Sequence, residues 1–146
     1  MTNENDPTLQ TEQYVDQIFG PGTGRRHLCF LERIAHPGLR EMVLRYHGLE
    51  ADTQHISLEE NYLIGLSVLA ALGRYDTAVM FAKTLLHLGT PKEKLLEAGA
   101  RLSMWIGGLP AVEASFRIQR AISEYERDGL GSLSAWLPEL PEAETR

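Results

Sequence analysis

The chain has 146 residues, a formal net charge of −6 and a pI near 5.3. That length holds one core of ordinary size, and 43% apolar residues exclude a wholly disordered chain. The acidic balance argues against a non-specific nucleic-acid binder, and the single cysteine, Cys29, excludes an internal disulfide, Cys-x-x-Cys chemistry and a cysteine-rich zinc site.

Residues 1–12 are polar and acidic and read as a flexible N-terminus without the apolar stretch of a secretory signal. The longest apolar run, Tyr62 to Leu72, is shorter than the roughly 20 residues of a membrane span. A cytoplasmic protein, with neither membrane nor nucleic acid as partner, is the expectation. No window alternates apolar and polar residues in the manner of a strand; the spacing is helical almost throughout.

The first predicted helix covers about Thr11 to Phe19, with Tyr14, Val15, Ile18 and Phe19 as its apolar stripe. Gly20-Pro21-Gly22-Thr23-Gly24 breaks it. A second runs from about Arg26 to Ala35. After His36-Pro37-Gly38, a third places Leu39, Met42, Val43 and Tyr46 on one face and ends at Gly48. Glu50 to Ile56 reads as a polar connection.

Ser57-Leu58-Glu59-Glu60 has the form of a capping box, serine at the N-cap and glutamate three residues on. The helix it opens is apolar on all sides, as in a buried helix, and Gly65, Ser67, Ala70 and Ala71 leave room for a close neighbour. Gly73 stops it. A fifth helix spans about Asp76 to Leu88 and stops at Gly89. Thr90-Pro91-Lys92-Glu93 reads as a second capping box, opening a helix to Ile106. Pro110 opens the last, from about Ala111 to Arg127. Residues 129–146 form a tail, partly apolar (Leu133, Trp136, Leu137, Leu140) and then acidic.

From Leu69 onward the sequence LAALGRYDTAVMFAKTLLHLGTPKEKLLEAGARLSMWIGGLPAVEASF resembles the carboxymuconolactone decarboxylase family and its alkylhydroperoxidase D-like relatives. Four pieces occur in the family's order: an apolar helix ending Ala-Leu-Gly-Arg, a helix ending in glycine, a Thr-x-Glu/Lys start, and a helix ending in an aromatic residue before Gly-x-Pro-Ala. The match is good from about Tyr46 to Arg120. The resemblance implies an all-α, single-domain bundle of six or seven helices over residues 13–128. It also implies a homo-oligomer, trimer or hexamer, with a pocket for a small organic molecule beside the central helices.

The departures from the family narrow the chemistry. Aligning the motifs puts Arg74 and Thr77 where the peroxidase branch carries its two cysteines, Phe81 where it has a histidine and Tyr62 where it has a glutamate. Thiol peroxidase chemistry of that branch is thereby excluded. The expectation is non-redox handling of a small organic molecule (lactone or carboxylate chemistry, isomerisation or cyclisation) by a cofactor-independent lyase or isomerase. The alternative is a non-catalytic, ligand-binding or structural oligomer of the same fold.

Tyr62, Glu59, His55 and Arg74 are the polar groups such chemistry would use. Phe81, Trp105 and His47 are the expected pocket residues, with plain core packing as the competing account of the aromatic ones. For Glu59 and Glu60 the competing account is a helix N-terminus. His47 and His55 lack the spacing of a metal motif, so no metal and no cofactor is expected. His27 and His36 have no partner legible in the sequence. Arg101 and Arg117, like Arg74, are candidates for facing a pocket carboxylate. Gly20 to Gly24 followed by Arg25-Arg26 lacks the strand and the Gly-Lys-Ser/Thr of a phosphate loop and reads as loop punctuation. Cys29 is expected to be buried and inert.

Overall fold

Asp6 and Pro7 open the first helix. The Asp6 carboxylate accepts the N–H of Thr8 at 2.9 Å, and Pro7 occupies a first-turn position where no N–H is needed. Helix α1 (Pro7–Phe19) therefore begins four residues before the predicted start at Thr11. The computed structural model describes residues 6–34, 36–52 and 55–131. The expected apolar tail, Leu133 to Leu140, lies outside the described residues. Those residues are helical with no strand, as the sequence predicts, and they form two compact units. None of their helices is long and apolar enough to cross a membrane.

The first unit contains α1, α2 (Thr23–Ile34) and α3 (Pro37–Ala51). Its core is Tyr14, Val15 and Ile18 of α1, Leu28 and Leu31 of α2, and Leu44 of α3. The glycine loop is a tight connection: Gly20 and Gly22 hold φ of 94° and 80°, in the left-handed region open to glycine. Asp16 then accepts the N–H of Gly24 at 2.7 Å and so steadies the start of α2. Gly24 also lies against the backbone of α1. A methyl group there would come 2.2 Å from the carbonyl oxygen of Glu12. His36 caps α3 by accepting the N–H of Gly38 at 3.2 Å. Contrary to expectation, α3 continues through Gly48 to Ala51, so Glu50 is helical. Its predicted apolar face is largely in solvent: Leu39 is 43% exposed, Met42 59% and Tyr46 57%.

The second unit contains α4 (Leu58–Ala71), α5 (Tyr75–His87), α6 (Lys92–Arg101), a single turn α7 (Ser103–Ile106) and α8 (Gly108–Asp128). The capping box at Ser57 is formed as predicted, with Ser57 Oγ accepting the N–H of Glu60 and Glu60 accepting that of Ser57. Helix α5 packs against both α4 and α8. Gly65 gives the close approach the sequence foresees. A methyl group there would fall 2.5 Å from the Phe81 ring. Two expectations are corrected. Helix α4 is not buried on all sides: Tyr62, Leu66 and Ala70 face inward, while Ile64, Val68 and Leu72 are each more than half exposed. And Thr90 makes no capping box, because its hydroxyl donates to Glu59 on α4 instead.

Lys83 of α5 is 2% exposed and forms a very short ion pair with Glu124 of α8, whose other oxygen accepts from Arg120 Nε at 2.6 Å. These cations hold the Glu124 carboxyl below the usual range, Lys83 first among them. Replacing Glu124 by Gln leaves a buried ammonium without its anion. It should cost about 3 kcal/mol, the lower end for a broken buried pair because Glu124 keeps some solvent. Lys83→Met should cost less, since Glu124 retains Arg120. Urea unfolding of both variants checks the order.

Candidate functional site

The residues singled out in the sequence divide between the two units. In the second unit, Tyr62 is 2% exposed and stacks at a tilt on Phe81, centroids 4.7 Å apart. This aromatic pair fills the interface of α4 and α5 that Gly65 opens. Glu59, the second residue of α4, accepts from the Thr90 hydroxyl and from Lys94 Nζ, each at 2.9 Å. Those bonds, Lys94's first, draw its carboxyl below the ordinary carboxylate range. A carboxylate so held is a weaker base and is unprotonated at neutral pH, which runs against a general acid. Glu60 is occupied by the capping box.

Arg74 precedes α5 and is exposed, as is His55. Trp105 is 82% exposed at the end of α7. It is not core; it lines an apolar groove of about 440 Å³ with Val68 and Ala71 of α4, Ala98 of α6, and Leu102 and Ile106. Ser67 and Arg101 are its polar members, and Arg101 also pairs with Glu97. Arg117 bonds Glu113 and lies over the Tyr75 ring.

The first unit gathers a polar cluster that the sequence does not announce. His27 Nε2 of α2 and His47 Nε2 of α3 are 3.2 Å apart, their rings nearly perpendicular. On the far side of His47, Nδ1 is 3.4 Å from Glu50 Oε2, an ion-pair distance with alignment too poor for a hydrogen bond. The Tyr14 hydroxyl of α1 donates to the same oxygen at 3.1 Å. The Tyr14 and Tyr46 rings flank His47. Burial, and then the Glu50 charge, push the Tyr46 hydroxyl up. Burial first, and His47 second, push His27 down to about 4. Beside this cluster the α1 face of Gln10, Gln13, Tyr14 and Gln17 and the end of α3 enclose a polar cleft of about 610 Å³.

In the sequence His47 and His55 flank the connection predicted between the third and fourth helices. His47 sits instead inside a lengthened α3, where i, i+3 spacing brings Glu50 to it. Among the described residues no three His, Cys, Asp or Glu side chains converge as metal ligands. Cys29 is half-buried rather than buried. No family model, curated protein or solved structure matches this chain.

The His27 geometry has a pH signature. Its folded pKa lies below the unfolded value of 6.5, so the unfolded chain binds the extra proton first. The stability associated with neutral His27 is full above pH 6.5 and is lost as pH falls toward 4. Chemical denaturation in EDTA-containing buffer should show that decline, and His27→Gln should flatten it between those pH values.

Proposed function

We propose that this chain is a homo-oligomeric, carboxymuconolactone decarboxylase-like protein that binds a small organic acid and acts on it, where it acts, without redox chemistry. The observation that carries this reading is the groove of α4, α6 and α7. Its walls suit a compact apolar body, and Arg101, the cation among its lining residues, exchanges Glu97 for the carboxylate of the bound acid. The resemblance of the motifs from Ala70 to Phe116 supports the same class. Lactone or carboxylate handling, isomerisation or cyclisation would use Tyr62 and Glu59, with Arg74 and His55. Binding without turnover is favoured by the ion pair that holds Glu59 and by the solvent exposure of Arg74 and His55.

A trimer or hexamer is part of the proposal. Ile64, Val68 and Leu72 form a row at i, i+4, i+8 on the outside of α4. Met104, Trp105 and Leu109 are each at least 75% exposed. Contiguous apolar surface of this kind marks an association face. A subunit laid on it would also close the open groove.

Native mass spectrometry tests both parts. The expected result is an oligomer that retains cyclic or aromatic carboxylates offered to it. Arg101→Gln with Trp105→Ala should weaken that retention roughly tenfold or more while helicity is kept, as expected for loss of a charged hydrogen bond and a wall. A monomer, or retention unchanged in the double variant, overturns the reading. Tyr62→Phe with Glu59→Gln separates its two forms: turnover of a retained compound should vanish in the first form, and binding should persist in both.

A further inference from the structure

The His27–His47 pair lies in the first unit, apart from the groove, and nothing in the proposed function uses it. We propose that it is a binding site for a four-coordinate divalent transition-metal ion of the zinc class, with His27 Nε2 and His47 Nε2 as its two protein ligands and Glu50 as the carboxylate that orients His47. Three features of the geometry carry this.

The first is the separation of the two nitrogens. Imidazole nitrogens bound at 2.0–2.1 Å to one tetrahedral ion stand about 3.3 Å apart. His27 Nε2 and His47 Nε2 are 3.2 Å apart. That separation is also a hydrogen-bond distance, so without an ion one ring donates to the other, and an ion takes the place of the shared proton at a spacing a tetrahedral centre accepts.

The second is the tautomer. The Glu50 carboxylate lies 3.4 Å from His47 Nδ1 and favours the ring proton there. The lone pair is then on Nε2, aimed at His27. The contact is electrostatic as it stands, and on metal binding it becomes the hydrogen bond by which a carboxylate usually orients a ligating imidazole. Tyr14 fixes that carboxylate in turn by donating to Oε2 at 3.1 Å, so the order Tyr14, Glu50, His47 runs from α1 to the proposed ion.

The third is access. The His47 side chain is 12% exposed, and His27 is half-buried rather than sealed. An ion can reach the pair from solvent, yet the surroundings are dry enough to strengthen its hold. Among the described residues no third His, Cys, Asp or Glu joins the two histidines. Solvent oxygen would complete the tetrahedron at two positions, one more than in the usual open zinc site with three protein ligands. Imidazole nitrogen with water selects zinc, cobalt, nickel or copper over magnesium and calcium, which prefer oxygen ligands.

The test is titration of the full chain with Co2+, read by its visible absorption, followed by displacement with Zn2+. The expected result is one equivalent of Co2+ with a spectrum of low symmetry, reversed by Zn2+ and unaffected by excess Mg2+. His27→Ala and His47→Ala should each abolish it. Glu50→Gln should weaken it by about 10- to 100-fold. His87→Gln, at an exposed position, should leave it intact. Circular dichroism confirms that each variant is helical. In the wild-type chain, long-range nitrogen–proton spectra should show Zn2+ moving Nε2 of His27 and His47 and no other imidazole nitrogens. Absence of a cobalt spectrum at large excess overturns the proposal. So does a spectrum that survives both alanine changes, or a zinc response at other histidines. None of these results bears on the groove, whose test is retention of carboxylates.

Discussion

The α4–α8 unit depends on a charge kept almost wholly out of water. Lys83 sits in the middle of α5, between helices on both sides, and Glu124 of α8 meets it there. A buried ammonium is tolerable only with a fixed anion, so α5 and α8 have one workable register. The small residues around it obey that register: Ala78 and Ala82 on α5 and Ala114 and Ala121 on α8 are buried. Phe81, two residues earlier and so on the opposite side of α5, reaches α4 across Gly65. Charge on one side of α5 and a missing side chain on the other hold three helices together.

The α1–α3 unit is organised by backbone approach and polar side chains more than by apolar bulk. Gly24 rests on the main chain of Glu12, and Asp16 holds the first turn of α2. Helix α3 is anchored by Leu44 and by Glu50, which takes the Tyr14 hydroxyl. His27 and His47 meet within this unit, between α2 and α3.

What could be read from the sequence follows the range of the interaction. The all-helical class, the Ser57–Glu60 box and the stops at Gly20, Gly73 and Gly89 are local signals, complete within four or five residues, and the structure contains them. The Thr90 box failed because a distant competitor, Glu59, took the hydroxyl. The length of α3 was missed because Gly48 can serve as either a stop or a helical residue, and only tertiary contact at Glu50 decides. His27 and His47 are twenty residues apart on different helices, a spacing with no local signature. Helix α4 reads as buried in the sequence because composition cannot tell a core face from an apolar face left in solvent. Tyr62 and Phe81 do meet, as an aromatic pair, whereas the polar candidates around them are exposed or engaged elsewhere.

The outward apolar face of α3, outside the proposed association face, also bears on how the protein behaves as a colloid. Tyr46 is 57% exposed and Leu49 75%, and an excess of six negative charges repels one molecule from another where such surfaces would meet. Near the isoelectric point of about 5.3 that repulsion disappears while the apolar area is unchanged. Mildly acidic buffer is then where indiscriminate clumping begins, and a salt strong enough to screen the same charges brings the chain closer to it at neutral pH.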